Sequence, residues 1–294
     1  MFPLVAAYFA WRRKLSVRTA GTLAAAFLLA ALVVNLYPFG PRSNTGMLVA
    51  MHLPIALWIA VGVAYAGGRW SDGGRRMDFV RFSGELFIYF VLIALGGGVL
   101  TGFTMGIFAS IGADAAWFVE GWLLPCGAAG AVLVASWLVE AKQSVIENMA
   151  TMLWTGRGID VERNVLIAFD LLLALVLGLL LYSISARDSD APAGGFDWLL
   201  VLLLVSALLV DALALAAIAG RISDFGLTPN RVAALGENVL LLVNLAWSAW
   251  LYGRFLRGRG SFRALLAWQT GYLPVYAAWA AIVVVLFPPL FRFG

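Results

Sequence analysis

An all-α, polytopic transmembrane bundle of about eight spans is the fold class this sequence predicts, and three observations predict it. The first is composition: of 294 residues 63% are hydrophobic and 12% are charged, with a mean hydropathy of +0.92. A soluble protein of this size could not hide that much apolar surface. The second is run length. A bilayer core about 30 Å thick needs about 20 apolar residues per helix, and such stretches run at 17–37, 46–66, 84–110, 116–139, 164–185, 197–219, 234–256 and 271–290. The third is charge placement, because the net charge of +4 comes largely from arginines in the connections. With no long polar insert, residues 1–294 read as a single integral membrane domain.

Residues 1–10, MFPLVAAYFA, are apolar but too short to span, and Trp11, Arg12, Arg13 and Lys14 follow them. Residues 1–14 therefore read either as a surface-lying segment or as the stump of a further span. A cleavable signal is disfavoured because the charges follow the apolar run. Orientation comes from Lys and Arg. With the N-terminal flank inside, residues 67–83, 141–163 and 220–232 are expected in the cytoplasm, and 38–45 and 186–196 outside. Arg254, Arg257, Arg259 and Arg263 then violate the rule, since they follow the seventh span on the outside.

The third span carries Gly98, Gly102, Gly106 and Ser110 at four-residue spacing, and the fourth carries Gly127, Ala131 and Ala135. Small residues at that spacing let helix backbones approach closely, so these two faces are expected to meet. Pro54, Pro125 and Pro274 fall inside spans, where each removes a backbone donor. Residues 141–155 alternate Val145, Met149, Met152 and Leu153 with Lys142, Gln143, Glu147, Asn148 and Thr151. That period suits an amphipathic helix on the cytoplasmic interface, either sensing lipid or simply joining two spans. The connection 220–231 has Gly226 for a positive-φ turn, then Thr228 and Pro229 as N-cap and first helical residue.

Ionisable groups inside spans are costly and become functional candidates. Asp170, Asp211 and Glu237 lie within the fifth, sixth and seventh spans. Asn238 neighbours Glu237, and Asn244 and Ser248 fall within about 20° of Glu237 on the same helical face. One reading is an acidic, hydrogen-bonding pocket for a proton, a cation or a cationic substrate. The other is a buried polar knot with Arg163, Arg221 or Arg231 as counter-ions. Glu120 and Glu140, near span ends, are expected to be wet. His52, the one histidine, is expected to be packed or interfacial.

The run from 183 through 255, with WQTGYLPVYAAWAAIVVVLFPPLFRF at 268–293, resembles the bacterial membrane family labelled domain of unknown function 4153. That resemblance implies a bacterial cytoplasmic-membrane location and a multi-spanning fold, and supplies no activity. One Cys and one His exclude cysteine clusters, bis-His haem and zinc-protease sites. HExxH, GxGD, GxSG and GxxxxGK[ST] patterns are absent, so no catalytic residue and no cofactor or metal is expected. No soluble basic domain offers itself to nucleic acid. The expected partners are the lipid bilayer and an unidentified membrane partner or a second copy of the chain. Two functions remain: a permease-like or ion-coupled transporter using the acidic pocket, or a non-transporting subunit, scaffold or sensor.

Overall fold

The computed structural model describes residues 1–110, 116–141 and 177–294. Their regular elements are all helices, with no strand among the described residues. The elements are α1 (Phe2–Arg12), α2 (Val17–Leu36), α3 (Asn44–Tyr65), α4 (Gly73–Ser110), α5 (Ala116–Phe118), a π turn (Val119–Leu123), α6 (Leu124–Ala141), α7 (Leu177–Ala186), α8 (Gly195–Phe225), α9 (Pro229–Leu256), α10 (Phe262–Val285) and α11 (Phe287–Leu290). Seven described helices are long and apolar enough to cross a membrane. Of the remaining stretch, 164–185, only the part within α7 is described. The amphipathic segment 141–155 lies outside the described residues from position 142 on.

Local chemistry sets the helix ends. Ser16 and Ser43 accept the amides of Thr19 and Gly46, and Thr228 accepts that of Arg231 with Pro229 in the first turn, so orphan donors find partners. Gly226 ends α8 with φ of 75°, a conformation a side chain would resist. The π turn precedes Pro125, whose ring would crowd the carbonyl of Gly121 in a regular helix.

Helix α1 is neither flat nor peripheral. Phe2 packs on Trp58 and Phe9 on Tyr65, so α1 and α3 run side by side in the same direction, in step over seven residues. Val5, Ala6 and Phe9 are buried there. This replaces the surface-lying alternative.

The bundle has two distinct ends. At one, Asn230 donates to Asn44, Tyr37 donates to the carbonyl of Val285, and the amide of Thr45 donates to that of Gly294. Residues 37–46, 225–231 and 285–294 therefore share this end. At the other, Arg12 and Arg13 pair with Glu140, Arg13 lies over Tyr65, Arg81 donates to Ser185, and Arg187 lies over Phe255 and Phe262.

This corrects the expected topology. Residues 220–232 lie with 38–45, not with 67–83, and residues 186–196 lie with 67–83. The physical reason is parity: α6 ends and α8 begins at the same end of the bundle, whereas the expected topology puts 141–163 and 186–196 on opposite sides. The arginines at 254–263 consequently join Arg12, Arg13, Arg69, Arg75, Arg76 and Arg81. The positive-inside rule, which they broke when read loop by loop, then expects one arginine-rich cytoplasmic end.

The close helix contacts also differ from expectation. Helices α4 and α6 are neighbours, but a Cβ on Gly98, Gly102 or Gly127 would meet nothing within 4 Å. Ala135 and Val139 of α6 instead pack in a core with Phe82 and Leu86, nearer the start of α4. The tight glycines are Gly62 against Phe79, Gly84 against Tyr182 and Gly236 against Trp279. Gly236→Leu should therefore cost about 1–3 kcal/mol through overpacking, whereas Gly102→Leu should stay within about 0.5 kcal/mol. Detergent unfolding of the two variants checks the contrast, and equal losses would refute it.

Candidate functional site

Polar residues on α9 face its neighbours at three levels. Glu237 turns toward α3 and bonds the Nε2 of His52. Both residues lie eight positions inside their helix starts, Asn44 and Pro229, roughly 12 Å deep at 1.5 Å per residue. His52 Nδ1 lies 2.9 Å from the carbonyl of Leu48. A carbonyl can only accept, so Nδ1 carries a proton and Nε2 is the nitrogen presented to Glu237. One further proton then sits between Nε2 and the carboxylate, on either atom. The His52 side chain is 7% exposed and that of Glu237 34% exposed.

At the middle level Asn244 donates to Tyr276 at 2.7 Å and to Gln269 at 3.2 Å. Gln269 donates to Ser248 at 2.5 Å, and Ser248 donates to the Asn244 carbonyl at 2.6 Å. Asn244 and Ser248 are fully buried. Asp211, midway along α8, is also fully buried and lies within electrostatic reach of Tyr276. Asn238 is fully buried too, with its amide donating to Ala234. Asp211 and Asn244 are thus brought together around Tyr276, while Glu237 belongs to the His52 level.

The third level lies at the arginine-rich end. Asp197 takes Arg187 through two nitrogens at 2.9 and 3.1 Å, the Gly194 amide at 2.7 Å and the Tyr252 hydroxyl at 2.7 Å. Arg187 lies over both Phe255 and Phe262, whose rings meet edge to face, and also donates to the carbonyls of Ala191 and Pro192. Sequence reasoning missed this cluster, although an acidic residue three positions after Gly194 at a helix start is a signal of one.

Of the expected counter-ions, Arg221 and Arg231 are described, and neither pairs with a carboxylate among the described residues. Arg231 donates to the carbonyls of Phe225 and Gly226 and lies over the Phe225 ring, so it closes the end of α8. Arg221 is exposed and joins no ion pair among the described residues. Asp170 and Arg163 lie outside the described residues. Glu140, expected wet, is held between Arg12 and Arg13 with a side chain 5% exposed; Glu120 is exposed. No group of three His, Cys, Asp or Glu suited to a metal occurs among the described residues.

Fold and polar seam together define a class: a multi-pass, all-α membrane protein with ionisable groups between its spans. Compared with protein-family models, with curated proteins and with solved structures, the chain matches none.

Proposed function

We propose that the chain is a permease-like, ion-coupled transporter of the bacterial cytoplasmic membrane, in which His52 and Glu237 bind and release the coupling proton. The observation that carries this reading is the histidine–carboxylate pair itself. Two titratable groups, 185 residues apart in sequence, meet within apolar spans. Such groups are expensive there unless paired or wet, and a histidine bonded to a carboxylate gives one proton two places to sit. Asn238 follows Glu237 on α9, and Asp211 and Asn244 form a further polar level around Tyr276. The membrane assignment rests on the seven apolar helices long enough to span.

The second reading is a scaffold or subunit whose polar seam is structural. The closed ring of hydrogen bonds among Asn244, Gln269 and Ser248, with Tyr276 accepting from Asn244 beside it, favours it, because a satisfied network locks helices together. Proteoliposomes loaded with a pH-sensitive dye separate the two. The transporter reading expects a proton flux that Glu237→Gln and His52→Gln each reduce at least about tenfold, with unfolding curves little changed; a factor of ten corresponds to about 1.4 kcal/mol. The same leak from wild-type and Glu237→Gln vesicles would overturn it.

A further inference from the structure

The arginine-rich end holds a cavity of about 350 Å³ between α1, α3, α4 and α6. Four of its lining residues, Arg75, Asp78, Arg81 and Glu85, lie three to four positions apart on α4 and so share one face with alternating sign. Arg13 and Glu140, also in the wall, neutralise each other. Arg81 gives its guanidinium to the Ser185 carbonyl, and neither Asp78 nor Glu85 joins an ion pair among the described residues. Arg75 lies 3.9 Å from Asp72, so the cavity offers a cationic subsite at Arg81 with a carboxylate about a turn to either side, Asp78 and Glu85. An ion of single sign would meet the wrong charge beside the right one.

Deeper along the same helices runs a second, apolar groove of about 250 Å³, lined by Phe2, Trp58, Leu86, Phe87, Phe90 and Val132. Leu86 follows Glu85 directly, and Val132 lies two turns deeper on α6 than the Val139 that lines the charged cavity. The two hollows flank one aromatic core, which includes Phe9, Phe82 and Leu86. Charge of both signs at the bundle end, with an oily slot beneath it, matches the anatomy of one kind of molecule.

We propose that this face binds a single phospholipid whose headgroup carries a primary ammonium. The phosphate sits at Arg81. The ammonium sits at Asp78, one turn nearer the end of the bundle. The glycerol region passes Glu85, and one acyl chain lies in the groove of Phe87 and Phe90. Charge-assisted hydrogen bonds supply the selectivity. A quaternary ammonium has no N–H to give Asp78, and a glycerol headgroup has no positive charge.

The test is native mass spectrometry of the purified, delipidated full chain with phosphatidylethanolamine, phosphatidylcholine and phosphatidylglycerol of identical acyl chains. One phosphatidylethanolamine should be retained about tenfold more strongly than either competitor, the factor a single charge-assisted hydrogen bond supplies. Asp78→Asn, at an exposed position, should bring it down to the level of phosphatidylglycerol. Phe87→Ser should weaken all three. Equal retention of the three lipids by the wild type, or an unchanged preference in Asp78→Asn, would overturn the proposal. Displacement by soluble glycerophosphoethanolamine at equal concentration would also overturn it, by making the site one for a soluble phospho-amine.

Discussion

Asp197→Ala should cost about 3–5 kcal/mol of stability, the range expected when one partner of a buried ion pair is removed and the other charge is left without compensation. The side chains of Arg187 and Asp197 are 13% and 5% exposed. With the carboxylate gone, the guanidinium stays against Phe255 and Phe262 with no anion, and Tyr252 and the Gly194 amide each lose an acceptor. Three consecutive elements, α7, α8 and α9, are joined at this point, so the loss spreads beyond one side chain. The contrast is Asp190, whose pair with Arg263 has side chains 72% and 70% exposed. Exposed pairs contribute about 0–1 kcal/mol, so Asp190→Ala should be close to neutral. Denaturant unfolding in detergent measures both, and similar values would contradict this account of the cluster.

The second large effect is an all-or-none one. On a Cys126→Ala background, single cysteines at Gly40 and Asp224 should be labelled from the same side of the membrane. Cysteines at Ser71, Asp188 and Arg259 should be labelled from the opposite side. The basis is the contacts that gather 37–46 with 225–231 at one end and 66–83 with 186–197 and 254–263 at the other. By the positive-inside rule the second group is the cytoplasmic one. Labelling of Asp224 together with Ser71 would restore the loop-by-loop topology and break the bundle as described.

The spans were legible because run length is a local property and a bilayer demands it. The caps at Thr228 and Gly226 were legible for the same reason. Parity was not, because every side assignment after residue 141 depends on how often the intervening chain crosses. The stripe of Gly98 and Gly102 misled because four-residue spacing describes one helix face and says nothing of what stands opposite. Phe79, Tyr182 and Trp279 decide where backbones come close, and none of them sits at a spacing that announces it. The α9 face was readable from Asn244 and Ser248, yet their partners Gln269 and Tyr276 lie on another helix. His52 looked inert for a similar reason. Its partner follows far along the chain, and a lone histidine carries no periodic signal.

That separation has a consequence for how the molecule is made. Helix α3 packs along α10 and touches α9, and Glu237 follows His52 by 185 residues. At about 5–20 residues per second of synthesis, α3 waits roughly 10–40 s for the residue that completes its polar contact. During that interval a finished hydrophobic segment sits in the membrane with half of its neighbours still inside the ribosome or not yet assembled. Assembly of this bundle is therefore a late event, closed by the C-terminal helices returning to an early one. Biogenesis would depend on whatever shelters α3 in the meantime.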